Sequence, residues 1–502
     1  MAIPKKNLLI GALIVIIVYV ATLWQRPLFA PDEFNFAFLS MTSDKHFTPI
    51  FNGIFGRALG FNIVSVRIIP ALSAIICALC VRHIVRREYG EGFGNISAVI
   101  YLSTLQVFAY GTACSKEMIN AMFLCTAMTA AFEALEMREK VPEFCRYLYA
   151  AAGGAAAGMF ALGMGFDSLF FPFCAVSFYA IWSRPQKCKS VIATGFAAVA
   201  VIFFLWLLDH PPVLFTKYVK FQKSNIHYLL IGMLPWGLFI PQAVCGFWKD
   251  KKQFLQKKII RLSLAVITTG LLACPVTGIL PTAVMTGPFW AILFVSALYE
   301  SQNNEKAVKI SVIIMKTAVW LLLLYTATVV ILCCIPRVPA NWKLYTSKAE
   351  LAGFAVACIV ALIQFKCAID EQPHNKAKKI LHIATGAAVL MILLPGAIPS
   401  KTLLHYSPEA FFAGTAARYI APDTVIYTDW NCAGAARWVF RDRKVILINK
   451  RTTKGLAKRI EKQQNTAIFS TSRKFTTLIP SKNKMLFVRG RWRIVLSQKQ
   501  GK

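Results

Sequence analysis

The sequence predicts an all-α polytopic membrane protein with about thirteen transmembrane helices, amphipathic surface helices in the first external loop, and a small C-terminal α/β domain outside the cytoplasm. Of its 502 residues, 57% are hydrophobic and 16% are charged, whereas soluble chains are nearer half apolar and a quarter charged. Long apolar runs also recur along the chain, and each approaches the roughly 20 residues that a membrane-spanning helix needs. Both observations place the chain among membrane proteins.

Thirteen apolar runs define the expected spans, and the boundaries at 112/118, 165/167 and 279/281 rest on very few residues. The runs are 8–24, 66–84, 94–112, 118–135, 147–165, 167–182, 190–208, 227–247, 260–279, 281–299, 310–335, 350–366 and 380–398. Clusters of Lys and Arg fall on the same side of these spans as Lys5 and Lys6, which predicts a cytoplasmic N-terminus. An odd number of spans then places residues 400–502 outside the cytoplasm. We therefore expect two domains, 1–399 in the membrane and 400–502 outside it.

The charge and the cysteines exclude two other classes of protein. The net charge of +33 lies in short clusters between apolar runs, as in loops held against anionic lipid, and no nucleic-acid recognition motif accompanies it. We expect membrane lipids as partners, no nucleic acid, and a monomer. Most of the 14 cysteines lie inside apolar runs, where Cys packs as a small hydrophobe. Cys114 lies near a span end, where core packing and a reactive thiol are both open.

The tail after residue 399 alternates between two patterns. Residues 423–430 and 444–449 have the composition of strands, and 433–442 and 453–463 that of helices. The segments "TAIFS" and "KMLFVRGRWRIVLSQ" predict further strands. Because neither a Gly-rich phosphate loop nor a nucleophile elbow is present, we interpret this domain as a roof over the membrane domain.

The first external loop, residues 25–65, is too long for a simple connector, and long loops often carry function. Its segment "APDEF" places Asp32 and Glu33 in the first turn of an expected amphipathic helix, and Thr48-Pro49 begins a second one. Acids at a helix start interact favourably with the helix dipole. They can also be catalytic or metal-binding, and adjacent helix positions point about 100° apart, so that only one faces a given site.

A further acid, Glu117, opens the fourth span at the same external surface. Its simplest role is in the start of that helix, with Ser115 as the cap. Alternatively, two acids at one membrane face can share general-base work or hold a divalent cation. A divalent metal ion of unknown identity is therefore one open alternative, with Asp32, Glu117 and His227 as its candidate ligands.

Several segments resemble the GT-C glycosyltransferases, above all the aminoarabinose-transferase and protein O-mannosyltransferase group. They are "RPLFAPDEFNFAFLSM", "FTPIFNG", "LGFNIVSVRIIPALSAII", "GTACSKEMINAMF", "LGMGFD", "IGMLPWGLF" and "GILP". The resemblance runs over roughly residues 20–300. It implies a transferase that uses a polyprenyl-phosphate sugar donor and a lipid or protein acceptor at the external surface of the bacterial inner membrane. Asp32 would be the base or metal ligand, and Glu117 the second catalytic acid.

Attack on an anomeric carbon also needs the leaving phosphate to be stabilised, for which cations are suited. The candidates on this side for substrate binding, besides Glu33, are Arg57, Lys116, Lys217, Lys220 and Lys223. A solvated loop that meets lipid phosphates explains the same lysines equally simply. His46 and His210 lie near this surface too, although a lone His is more often simply hydrogen-bonded.

The chain departs from the family at positions that are usually cationic. Met164 and Thr112 stand where the family has Lys and Arg, and the Lys-Pro-Pro-Leu segment after Asn-Gly is missing. Two alternatives therefore stay open beside the glycosyltransferase. One is a catalytically silent scaffold, and the other is a lipid or solute transporter, although transporters usually carry ionisable groups near the middle of their spans.

Overall fold

In the computed structural model, the described residues form a helical bundle and a C-terminal α/β unit. The described ranges are 31–42, 47–137, 141–185, 188–209, 251–277, 279–301, 407–440, 443–448, 465–472, 484–489 and 492–498, with isolated residues at 232–239 and 313–386. The first loop forms three helices: α1 (Pro31–Thr42), α2 (Phe47–Asn52) and α3 (Ile54–Leu59). The expected second helix is thus split in two at Gly53.

The bundle consists of the longer helices that follow. They are α4 (Ile68–Tyr89), α5 (Glu91–Leu102), α6 (Leu105–Gly111), α7 (Lys116–Leu135), α8 (Glu143–Met164), α9 (Phe170–Ser183), α10 (Cys188–Asp209), α11 (Lys251–Gln256), α12 (Lys258–Thr277) and α13 (Ile279–Ser301). Among the described residues, five helices are long and apolar enough to cross a membrane, or six if the bent pair α5–α6 is one span. The molecule is therefore a multi-pass membrane protein.

The expected spans between residues 66 and 299 mostly coincide with these helices. The runs 66–84, 94–112, 118–135, 147–165, 190–208, 260–279 and 281–299 each correspond to a helix or to the bent pair, and 167–182 corresponds to the 14-residue helix α9. The runs 8–24, 227–247, 310–335, 350–366 and 380–398 lie wholly or largely outside the described residues. The count of thirteen therefore stays a prediction.

One expected straight span, 94–112, is instead bent by 67° between α5 and α6. The hydroxyl of Ser103 donates to the carbonyl of Val99 at 2.6 Å, and that of Thr104 donates to the carbonyl of Ile100 at 2.9 Å. Side-chain hydroxyls that bond to carbonyls one turn back compete with the helix ladder and often bend it. The bend therefore follows from two adjacent hydroxyl residues.

The C-terminal unit, residues 407–498, has a five-stranded mixed sheet. Its elements are α14 (Pro408–Tyr419), β1 (Val425–Thr428), α15 (Trp430–Val439), β2 (Val445–Leu447), β3 (Asn465–Ser470), β4 (Lys484–Arg489) and β5 (Trp492–Gln498). The strand order is β2-β1-β3-β5-β4, with β1 parallel to β2 and β3, and β5 antiparallel to β3 and β4. An α/β fold was expected here. The expected helix at 453–463 lies outside the described residues.

Helix α1 is packed between the bundle and helix α15, with Phe34 and Ala37 fully buried. The sequence predicts that this helix is amphipathic and lies along the membrane surface. The structure buries one face of it in protein and leaves Leu39 exposed, and its position at the membrane surface stays a prediction. The buried core is continuous from the bundle through α1 into the C-terminal unit, where it reaches Phe412 and Trp492. The first loop and the C-terminal unit thus share one end of the bundle, here called the α1 end.

The opposite end of the bundle is held by ion pairs between helix termini. Glu133 pairs with Arg87 at 2.7 Å, Glu136 pairs with Lys258, and Glu300 pairs with Lys257. The hydroxyl of Tyr179 also donates to Glu136 at 2.6 Å. Each of these three carboxylates therefore has a cationic partner.

Candidate active site

The first turn of α1 is joined to the segment that precedes α7 by a buried carboxylate, Glu33. Its Oε1 accepts hydrogen bonds from Arg67 Nε at 2.9 Å, from Arg67 Nη2 at 2.6 Å, and from the backbone N–H of Cys114 at 3.0 Å. The side chains of Arg67 and Glu33 are only 2% and 8% exposed. The segments that carry Asp32 and Glu117 therefore meet, which the sequence alone did not show.

The hydrogen bonds and burial of Glu33 are relevant to its predicted role in binding substrate. Two cationic donors and one backbone donor fill one carboxylate oxygen in a nearly closed environment. This is a structural contact, since it locks α1 against the start of α4. Its predicted role in binding substrate stays a prediction, and so does the catalytic role of Asp32, whose side chain lies outside the described atoms.

Glu117 lies half-buried in the first turn of α7. Ser115 caps this helix, accepting a hydrogen bond from the N–H of Met118 at 3.2 Å, as expected. Among the residues that the structure describes, Glu117 makes no ion pair. An acid that is half-buried at the junction of two loops and has no cationic partner there is suited to chemistry or to ligand binding.

Burial and nearby charges change the pKa of the Cys114 thiol, which lies where the segments carrying Glu33 and Glu117 meet. Burial raises the pKa of its thiol, and the negative charge of Glu33 raises it further, while Arg67 lowers it in part. The hydrogen bond from Asn52 also lowers this pKa, and the charge of Glu117 raises it, so that the net value is well above the usual one. Core packing, one of the two alternatives for Cys114, is the one that the structure supports, since this residue is 2% exposed.

Hydrogen bonds and close packing explain why Asn52 and Gly53 stand next to each other in the first loop. Asn52 Nδ2 donates to Ser40 Oγ at 2.9 Å and to the carbonyl of Val66 at 3.1 Å, which ties α2 to the end of α1 and to the approach of α4. Gly53 lies against the carbonyl of Ser40, where a Cβ would clash. The pair therefore fixes the turn between α2 and α3.

Two buried polar side chains, those of Asn120 and Thr48, were not predicted as site residues from the sequence. Asn120 lies one turn after Glu117 on α7 and is fully buried, and Thr48 on α2 is 2% exposed. The Oδ1 and Nδ2 of Asn120 and the Oγ1 of Thr48 have no hydrogen-bond partner among the described atoms. Asn120 Oδ1 and Thr48 Oγ1 both approach Gly163, where an added Cβ would clash with them. The three-residue spacing from Glu117 was the available signal for Asn120.

The cationic residues predicted at the α1 end fall into two groups, exposed ones and ones outside the described residues. Arg57 on α3 and Lys116 at the start of α7 are exposed, and each is available to an anion from solvent or membrane. Lys217, Lys220, Lys223 and His227 lie outside the described residues, as do His46 and His210. Thr112, which replaces a family Arg, is buried, and its hydroxyl donates to the carbonyl of Phe108 at 2.8 Å.

The predicted metal site has one ligand, Glu117, whose side chain is among the described residues. Within the described ranges, no group of three or more His, Cys, Asp or Glu is placed to hold a metal ion. Of the three predicted ligands, Glu117 is described, and its lack of an ion pair is compatible with a cation. The predicted divalent ion therefore stays a prediction.

The chain is similar to known proteins over most of its length. Residues 46–208 match the family model described as dolichyl-phosphate-mannose-protein mannosyltransferase. The undecaprenyl phosphate-alpha-4-amino-4-deoxy-L-arabinose arabinosyl transferase of Aeromonas salmonicida is 22% identical over 480 residues, which is 86% of this chain and 84% of that protein. Its counterpart in Shewanella sediminis is 24% identical over 494 residues, 88% of this chain and 86% of that one.

Solved structures show the same fold. ArnT from Cupriavidus metallidurans bound to undecaprenyl phosphate superposes with a TM-score of 0.77 at 14% identity, covering 99% of this chain and 98% of that one. The oligosaccharyltransferase of Archaeoglobus fulgidus in the apo form superposes with a TM-score of 0.51 at 11% identity, covering 95% of this chain and 71% of that one.

The class of the protein follows: it is a multi-pass membrane glycosyltransferase with the GT-C fold. Within that class, the chain is similar to the aminoarabinose transferases named above, at 22% and 24% identity.

Proposed function

We propose that this protein moves a sugar from a polyprenyl-phosphate donor to a lipid A-like acceptor on the extracytoplasmic face of the bacterial inner membrane. The observation that carries the proposal is the hydrogen bond between Glu33 and the N–H of Cys114, which joins the two acid-bearing segments. The curated relatives are named for an undecaprenyl-phosphate sugar donor, and one structural neighbour was solved with undecaprenyl phosphate bound. A protein or glycan acceptor is the runner-up within the same chemistry.

The proposed chemistry is a single displacement at the anomeric carbon. Asp32 accepts the proton of the acceptor hydroxyl as the oxygen forms the new glycosidic bond, and the bond between the anomeric carbon and the phosphate oxygen breaks. The leaving group is the polyprenyl phosphate. Because Glu33 is already engaged by Arg67, Asp32 is the acid of the adjacent pair that we assign to this step. Glu117 is the second acid of the site.

The donor needs a place for both its head and its tail. Arg57 and Lys116 supply positive charge at the α1 end, and the lysines of 217–223 are proposed to add to it. A cavity of about 450 Å³, partly open at the bundle surface, lies between α7, α8, α9 and α10 and is lined almost wholly by apolar side chains such as Met128, Phe173 and Phe196. An apolar cavity inside a membrane bundle suits an isoprenoid or acyl chain.

The direct test uses purified protein in lipid nanodiscs with radiolabelled undecaprenyl-phosphate aminoarabinose and lipid A. We expect label transfer by the natural protein and a loss of at least about 100-fold in Asp32→Asn, the size expected for a general base. Asp423→Asn, which changes an exposed Asp of the C-terminal unit, is the matched control and should retain activity. Full activity in Asp32→Asn would remove Asp32 as the base.

A divalent cation is the second part of the proposal. Asp32, Glu117 and His227 would hold it, and it would stabilise the leaving phosphate electrostatically. Dialysis against a chelator should then lower transfer at least tenfold, and added Mg²⁺, Mn²⁺ or Zn²⁺ should restore it. Transfer that is unchanged after chelation would show that side-chain cations alone do this work.

A catalytically silent scaffold is the second candidate, because Thr112 and Met164 replace two family cations. It predicts that the natural protein transfers no label from any polyprenyl-phosphate sugar while still binding undecaprenyl phosphate. A transporter is disfavoured, because the ion pairs of the described spans lie at helix ends instead of near the membrane midplane.

A further inference from the structure

Helix α1 is held from two sides that come from opposite ends of the chain. On one side, Glu33 is bound by Arg67 and by the N–H of Cys114, both of the bundle. On the other side, α15 of the C-terminal unit packs along α1. The position of α1 is therefore set jointly by the bundle and by the C-terminal unit.

The contact with α15 is closest at Gly434. A Cβ built on Gly434 would lie 2.6 Å from Asn35 Oδ1, 2.7 Å from the backbone N of Asn35 and 2.9 Å from Phe34 Cβ. Contacts below 3.0 Å are essentially never seen for real Cβ atoms, so something would have to shift. The amide oxygen can rotate away, but the backbone N and the Cβ cannot move without moving α1. Glycine at this position therefore sets the distance between the two helices.

A second contact lies one turn further along α15. The guanidinium carbon of Arg437 lies 5.5 Å from the centre of the Phe38 ring, within the range of a cation–π interaction. Gly434 and Arg437 are three residues apart, so they lie on the same face of α15. Together they contact α1 at Phe34, Asn35 and Phe38.

We propose that Gly434 and Arg437 are positioning residues for sugar transfer, and that the C-terminal unit acts on the reaction by fixing α1 and thereby Asp32. The proposal rests on the proposed function, in which Asp32 is the base. A hydrogen-bonded helix moves largely as a unit, so a displacement at Asn35 carries Asp32, one turn earlier, with it. A misplacement of about 1 Å can cost about 100-fold in rate.

The test compares two glycine substitutions within the C-terminal unit. Gly434→Ala adds the clashing methyl group, whereas Gly414→Ala adds the same group on α14, where a Cβ meets nothing within 4 Å. Both replace a helical glycine by alanine, so their effects on helix propensity are matched. We expect Gly434→Ala to lower kcat about tenfold with little change in KM, and Gly414→Ala to leave both unchanged.

A second measurement does not depend on activity. Hydrogen–deuterium exchange of the full chain in nanodiscs should rise in residues 31–42 of Gly434→Ala and stay at the natural level in β1 and β3. If exchange in β1 and β3 rises as well, the whole unit has loosened, and Arg437→Gln replaces Gly434→Ala in the test. That variant removes the cation from Phe38, and we expect it to lower kcat by a smaller factor at unchanged KM.

The outcomes separate this proposal from the proposed function. An active natural protein in which both Gly434→Ala and Arg437→Gln match Gly414→Ala overturns the positioning role and leaves the transferase intact. A natural protein that transfers no sugar overturns the proposed function. In that case the exchange of residues 31–42 still decides whether α15 holds α1, and exchange that is equal in all variants overturns the contact itself.

Discussion

Several acidic side chains at the two ends of the helical bundle differ in their ionic partners. At the end away from α1, Glu133, Glu136 and Glu300 all have cationic partners. At the α1 end, Glu33 is paired, but Glu117 makes no ion pair among the described residues, and Asn120 and Thr48 are buried without hydrogen bonds there. Buried polar groups without partners cost about 1–3 kcal/mol each. Buried polar atoms without a hydrogen-bond partner among the described atoms also occur at the opposite end, on Arg146 and Ser183. The contrast between the two ends therefore lies in Glu117 against the paired carboxylates of Glu133, Glu136 and Glu300.

The largest expected effect contrasts two glutamates of the same helix, α7. Glu117→Gln should lower transfer by about 100-fold or more, because it removes an acid of the site, and should leave the free energy of unfolding within about 0.5 kcal/mol. Glu133→Gln should keep transfer near the natural rate and lower stability, because it weakens the pair with Arg87. Initial rates and denaturant unfolding in detergent measure both. Equal rates in the two variants would contradict the assignment of function to the α1 end.

The second prediction concerns the buried ion pair between Glu33 and Arg67 at the α1 end. Arg67→Met leaves the carboxylate of Glu33 buried without its cation, and removing one partner of a buried pair costs about 3–5 kcal/mol. The double variant Glu33→Gln/Arg67→Met should recover most of that loss, because no charge is left unpaired.

The matched change at the opposite end is Lys258→Met. Lys258 is 58% exposed, and Tyr179 still donates to Glu136 in this variant. We expect a loss of about 1 kcal/mol or less, which is typical of exposed pairs. A loss as large as that of Arg67→Met would show that the two ends do not differ in this respect.

The third prediction is a change in the free energy of unfolding that has opposite signs at the two ends of the bundle. Asn120→Leu replaces an amide that has no hydrogen-bond partner among the described atoms, so we expect a gain in unfolding free energy of about 1 kcal/mol together with slower transfer. Asn95→Leu removes the acceptor of the 2.6 Å hydrogen bond from Arg82, so we expect a loss of about 1 kcal/mol and unchanged transfer. A loss of stability in Asn120→Leu would mean that this amide is satisfied in the membrane.

The smallest expected effect concerns the reactivity of the Cys114 thiol with maleimides. The raised pKa of Cys114 keeps the thiol neutral at pH 8, and only the thiolate reacts readily with maleimides. Together with its burial, this predicts no labelling of Cys114 in the folded protein and full labelling after denaturation. Lys116→Cys, at an exposed position two residues away, is the positive control and should label at once. Rapid labelling of Cys114 would show that the junction opens in solution.

Several helices and the C-terminal strands were predictable because their signals are local. Apolar runs of about 20 residues define α4, α7, α8 and α10, and the alternation of strand and helix patterns defines β1, α15 and β2. The bend at Ser103 and Thr104 was not predicted, because apolar composition continues through it. Its local signal was the pair of adjacent hydroxyl residues, which compete for helix carbonyls.

Of the candidate site, the sequence predicted only the acids, and their roles stay predictions. Scarce carboxylates at a membrane face, read with the family motifs, pointed to Asp32, Glu33 and Glu117. The partner of Glu33 was not predictable, because Arg67 is 34 residues away and pairing at that distance depends on the packing of α4 against α1. The requirement for glycine at Gly434 depends on a helix from the other end of the chain, and no local pattern marks it.

The docking of α15 on α1 also has a consequence for biosynthesis. Helix α1 is among the first segments to leave the ribosome, whereas α15 and its sheet are among the last. The surface of α1 that Gly434 and Arg437 cover stays open until the C-terminal unit has been made and folded. A chain released early, even with every helix of the bundle in place, would lack that cover. If α15 positions α1 as proposed, sugar transfer therefore requires that residues 430–439 have been made and folded.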